Sequence, residues 1–70
     1  MTIQQLQYAL AVYRAGSISG AAAVLGLAQP NLSGIIRALE EELGYPIFLR
    51  NSKGVQATEK GVEALSLAAQ

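Results

Sequence analysis

Ile3, Leu6, Ala9, Leu10 and Tyr13 recur at three- and four-residue spacing, which predicts a helix over residues 3–15. Thr2 and Gln5 fit a capping box at its start, and Gly16 stops it. Ser17 or Ser19 then caps a second, shorter helix that ends at Leu25. Alanines 21–23 are small enough for a close helix crossing, Gly26 lets the backbone reverse, and Leu27 can pin the turn to a core. A third helix follows from Gln29 to Leu43. Its Leu32, Ile36, Leu39 and Leu43 share one face, while Asn31, Ser33, Gly34 and Arg37 take others. Pro30 suits the first turn, where a missing N–H costs nothing. Gly44 is placed as a left-handed stop, and Pro46 forbids continuation.

The period then changes. Ile47-Phe48-Leu49-Arg50 and Val55-Gln56-Ala57 flank the polar turn Asn51-Ser52-Lys53-Gly54, the signature of a β-hairpin. Two strands alone are marginal, so Phe48 and Val55 must lean on the helices. Thr58 is an N-cap and Glu59 an anion in the first turn of a fourth helix, which carries Val62, Leu65, Leu67, Ala68 and Ala69. The order predicts a mainly α fold: a winged helix-turn-helix of three helices and a two-stranded wing over residues 1–58, then the start of a C-terminal linker helix over 59–70. Leu32, Ile36 and Leu39 should meet Leu6, Leu10, Ala22 and Leu25 in the core.

Composition narrows the function. The chain has 70 residues, 51% of them hydrophobic, with no cysteine and no histidine. That removes disulfides, thiolate ligands and the commonest general base and metal ligand. No paired-carboxylate pocket and no Gly-rich phosphate loop stands out, so the chain does not read as an enzyme, and no cofactor or metal is implied. No apolar run approaches a membrane span and the polar N-terminus is unlike a signal peptide, so a cytoplasmic protein without a membrane partner is expected.

The formal net charge is zero, yet residues 1–39 hold Arg14 and Arg37 and no acid. The acids form the run Glu40-Glu41-Glu42, read as a solvated helix face, and recur at Glu59 and Glu63. Helix 3 is laid out as the second helix of a helix-turn-helix, the one that enters a DNA major groove. Gln29, Asn31 and Ser33 open it; their side chains can bond base edges, or they are simply the polar first turn of a surface helix. Arg37 can reach a phosphate or guanine, or pair with Glu40 or Glu41. Arg50 and Lys53 on the wing suit phosphates or the minor groove; otherwise they keep a hairpin edge soluble. Ser17 and Ser19 are first of all caps. Tyr8, Tyr13 and Tyr45 read as packing residues, and Ile35 either meets a thymine methyl or widens the core face.

Several motifs occur together: Gly16-Ser17-Ile18-Ser19, Ala21-Ala22, Gln29-Pro30, Leu32-Ser33, Leu39-Glu40, Leu43-Gly44, Pro46-Ile47-Phe48-Leu49-Arg50, Gly54-Val55 and Thr58-Glu59-Lys60-Gly61. In this joint spacing the chain resembles the N-terminal DNA-binding domain of LysR-type transcriptional regulators. The resemblance covers essentially the whole chain. It implies a bacterial regulator that binds double-stranded DNA as a homodimer, with Gln29, Pro30, Asn31, Ser33, Arg37, Arg50 and Lys53 at the DNA. Gly34 holds a DNA-facing position where the family often has arginine. Ala28 replaces a frequent serine, Ile35 a polar residue and Ala9 an aromatic. These departures, with the zero net charge, support an alternative: a winged-helix interaction or dimerisation module that has lost DNA binding.

The resemblance also implies dimerisation through an antiparallel pairing of helix 4. Its Val62, Leu65 and Ala69 recur at helical spacing and are expected at the partner, while Leu67 and Ala68 widen the stripe. Family members carry an effector-binding domain after this helix. It is absent from these 70 residues, so a piece of a longer protein or a natural short product is expected, and the uncapped apolar tail favours the former.

Overall fold

The structure, a computed structural model, describes residues 1–68, the last by its backbone alone. Ala69 lies outside the described residues. The elements run α1 (Ile3–Ala15), α2 (Ile18–Leu25), α3 (Gln29–Leu43), β1 (Phe48–Asn51), β2 (Gly54–Ala57) and α4 (Glu59–Ala68). The fold is therefore the expected mainly helical one, with an antiparallel two-stranded sheet.

Local chemistry sets most of the boundaries. Thr2 Oγ1 accepts from the Gln5 N–H at 3.1 Å while Gln5 Oε1 accepts from the Thr2 N–H at 2.9 Å, closing the capping box. Ser17, not Ser19, caps α2, accepting from the Gly20 N–H at 3.0 Å. Ala28 gives α3 no side-chain cap, and Pro30 stands in its first turn. Gly26 reverses the chain in the left-handed region, with φ 71°, and the Leu27 N–H returns to the Ala22 carbonyl at 2.9 Å.

The core forms where α1, α2 and α3 cross. Leu32, Ile36 and Leu39 of α3 are buried with Ala9, Val12, Ala21 and Ala22. Leu6, Leu10, Leu25 and Leu27 pack against that cluster from its margin. Small residues at the crossing allow close approach, and the leucine and isoleucine side chains fill what remains. Ile47, just ahead of β1, is also fully buried, and Phe48 nearly so. Val55 and Ala57 lean on the same core, so the hairpin rests on the helices through Phe48 and Val55 as expected.

Leu65 corrects an expectation. It is 2% exposed and belongs to this core. The helical repeat that suggested a partner-facing stripe instead turns Leu65 inward, because α4 lies against α1. Val62 and Leu67 stay exposed on either side of it.

Candidate nucleic-acid interface

The buried face of α3 is defined by Leu32, Ile36 and Leu39. At about 100° per residue, the outward arc runs from Gln29 and Ser33 on one flank, through Arg37, Pro30 and Gly34 at the centre, to Asn31, Ile35 and Ala38 on the other. Gln29, Pro30, Asn31, Gly34 and Arg37 are exposed, and Ser33 and Ile35 are half-buried. The polar residues expected together thus belong to one solvent-facing arc but to two flanks of it.

Each flank has its own neighbour. Gln29 shares a cleft of about 190 Å³ with Ser17 and Ser19 at the start of α2 and with Arg50, Asn51 and Gly54 of the wing. Two hydroxyls, two amides and a guanidinium line it, a donor set suited to a phosphate. The other flank opens onto a broad groove lined by Pro30, Asn31, Gly34, Ile35 and Ala38, with Leu27 and Gln5 at its edge. Ile35 is on this side, not in the buried cluster. A Cβ on Gly34 would meet nothing within 4 Å. At Gly34, beside Pro30 and Arg37, the arc is therefore bare backbone, open to close approach.

The wing reaches the cleft through strand alternation. Phe48 and Arg50 share one face of β1, and Arg50 pairs with Val55 across the sheet. With Phe48 seated in the core, Arg50 is turned toward Gln29 and the α2 start, while Leu49 points away and is exposed. Lys53 occupies the turn, where its N–H donates to Asn51 Oδ1 at 2.8 Å. Among the described residues the only ion pair joins the Met1 amino group to Glu42. The pairing of Arg37 with Glu40 or Glu41 does not form, and Arg37, Arg50 and Lys53 keep their charges for solvent or a ligand.

Charge is segregated. All five acids fall at residues 40–42, 59 and 63, on the C-terminal part of α3 and on α4. Residues 1–39 and the hairpin carry only cations. Zero net charge therefore hides acid-free stretches at the start of α3 and in the hairpin, and the local field is what an approaching phosphate feels.

Three side chains in this neighbourhood have roles that sequence reasoning missed. Glu40, expected in a solvated run, accepts from the backbone N–H groups of Ile47 at 2.6 Å and Phe48 at 3.1 Å. Thr58 does more than cap α4: its hydroxyl donates to the Pro46 carbonyl at 2.7 Å while accepting from the Gly61 N–H at 2.9 Å. Gly61 is buried, and a Cβ there would overlap the Ile47 carbonyl oxygen. Lys60 lies over the Tyr45 ring, 5.4 Å from its centroid. The hairpin is further tied to the α1–α2 turn, where the Val55 N–H donates to the Gly16 carbonyl at 3.1 Å.

Known proteins share this architecture. The family described as bacterial regulatory helix-turn-helix protein, lysR family, matches residues 3–62. The transcriptional regulator AbaB of Streptomyces antibioticus is 46% identical over 69 residues, covering 99% of this chain and 23% of its own length. Among solved structures, the DNA-binding domain of CbnR in complex with DNA superimposes with a TM-score of 0.94 at 35% identity, covering 99% of this chain and 79% of that one. The DNA-binding domain of BenM bound to catB site 1 DNA gives a TM-score of 0.93 at 39% identity, covering 99% and 74%. The chain spans about a quarter of the length of the regulator AbaB that it matches.

Proposed function

The chain belongs to the lysR family of bacterial regulatory helix-turn-helix proteins, and from that premise we propose that it is the DNA-reading part of a transcription regulator. It binds double-stranded DNA with α3 in the major groove and the wing on the backbone or in the minor groove. The carrying observation is the solvent-facing arc of α3, flanked by a wing cleft and free of acids through residue 39. Gln29 and Asn31 supply the amides that pair with adenine, and Arg37 the cation for guanine or phosphate. Arg50, Lys53 and the Ser17–Ser19 hydroxyls hold phosphates. Pro30 and Gly34 let the duplex approach the backbone. The two similar domains bound to DNA support this reading.

The relatives that match are named as regulators, and a non-enzymatic role in the bacterial cytoplasm is part of the proposal. No helix among the described residues is long and apolar enough to cross a membrane. An effector-binding domain would follow α4 in a longer protein. A homodimer through α4 completes the reading, with exposed Val62 at the partner and Leu65 supporting it from the core beneath. Ala69, the third residue of that stripe, lies outside the described residues.

Titration of duplex DNA against salt is the direct test. Affinity falls steeply as salt rises if phosphates are bound, because condensed counterions are released. Binding that is absent at low salt sinks the proposal and favours the interaction-module alternative. Sedimentation across a concentration series tests the dimer: Val62→Glu abolishes self-association, and a strict monomer on a palindromic duplex removes that part of the reading.

A further inference from the structure

Glu40 stands out from the acids around it because its carboxylate is used. Ile47 follows the Gly44 reversal and Phe48 opens β1 opposite Ala57, yet the N–H groups of both find their acceptor in a side chain of α3. Glu40 Oε2 takes both, at 2.6 and 3.1 Å. From the other side, Thr58 grips the same short segment: its N–H donates to the Ile47 carbonyl at 2.8 Å and its hydroxyl to the Pro46 carbonyl at 2.7 Å. Gly61 lets α4 close onto the Ile47 carbonyl. Residues 46–48 are thus held between α3 and α4. The strand continues directly from that segment, and Arg50 lies two residues beyond Phe48 on the same face.

We propose that Glu40 is a positioning residue that sets the wing against the reading helix, so that Arg50 and Lys53 meet the backbone while α3 lies in the groove. Charge-assisted bonds to two consecutive N–H groups fix both the distance and the direction in which β1 leaves the core. Glu40 itself touches no DNA. The inference rests on the DNA-binding reading above.

The sign of the effect separates positioning from simple electrostatics. Deleting an acid from a DNA-binding domain raises its affinity for a polyanion. Deleting a positioning acid lowers it. Binding of the 70-residue chain to mixed-sequence genomic duplex is measured against salt for the wild type, Glu40→Ala, Glu40→Gln, and Arg50→Ala with Lys53→Ala. Glu40→Ala weakens binding, and its log affinity–log salt slope falls by about 0.9 for each phosphate left unneutralised, as in the wing double variant. Adding Glu40→Ala to that double variant costs nothing more, since both act on the same phosphates. Glu40→Gln, which keeps an acceptor oxygen of the same reach, lies between wild type and Glu40→Ala. A folded Glu40→Ala protein with unchanged or stronger binding, or with full additivity, overturns the proposal. If Glu40→Ala does not fold, Glu40→Gln carries the test. Faster amide exchange at Ile47 and Phe48 together with weaker binding supports the proposal, and wild-type behaviour in either measurement overturns it. A wild type that binds no duplex at low salt defeats the DNA reading instead, a result distinct from all of these.

Discussion

The reading helix and the wing are both needed at the proposed interface, but they are held in place by different physics. Leu32, Ile36 and Leu39 bury one face of α3, and the helix carries its own start and stop in Pro30 and Gly44. The wing has four-residue strands and only Phe48 deeply buried among them. Beyond the packing of Phe48 and Val55, its position is set by hydrogen bonds between separate chain segments: Glu40 to Ile47 and Phe48, Val55 to Gly16, Thr58 to Pro46 and Ile47. Apolar burial is non-directional and tolerant of small shifts, whereas such bonds fail within fractions of an ångström. The helix is therefore the robust element and the wing the adjustable one.

Substitutions on either side put this contrast at risk. The largest effect belongs to the helix core. Leu39→Ala should cost roughly 2–5 kcal/mol, comparable to the whole stability of a small domain. Thermal or denaturant unfolding reads it, and an unchanged midpoint would remove Leu39 from the core. Next is Gly61→Ala, which drives a methyl into the Ile47 carbonyl and should cost about 1–3 kcal/mol. Amide exchange should show the loss concentrated at residues 46–48; a neutral substitution would mean that α4 does not press on that segment.

Smaller changes test the helix surface. Ala28→Ser supplies the missing cap and should add about 1 kcal/mol of stability. Gly34→Ala removes backbone freedom at an open helical site and should stabilise by up to about 1 kcal/mol. Both read out as a raised melting temperature, and a loss in either would show that α3 is less self-contained than its packing suggests. Arg50→Ala with Lys53→Ala should leave the melting temperature almost untouched, since exposed charges contribute little. Its effect belongs to DNA affinity and salt slope alone.

How far the sequence reached follows the same division. The four helices were legible because their signals are short-range: the Thr2–Gln5 box, the Ser17 cap, the leucine and isoleucine period of α3 and the glycine stops all act within a turn. The hairpin was legible from its polar turn, and the solvent-facing arc of α3 followed from the helical periodicity. Glu40 was not legible, because its partners are seven and eight residues away across a chain reversal whose angle no local pattern gives. Leu65 was misassigned for a related reason: periodicity places it on a stripe but does not say which neighbour covers that stripe. Here α1 covers it, within the same chain. The split of the reading arc into a wing flank and an open flank likewise depended on where the hairpin came to rest. The elements, their ends and the faces that must be buried were written in the chain, because those depend on residues within hydrogen-bonding or one-turn reach. Which elements those faces and polar groups meet was settled only on folding, because closing the chain brings together groups that lie apart along it.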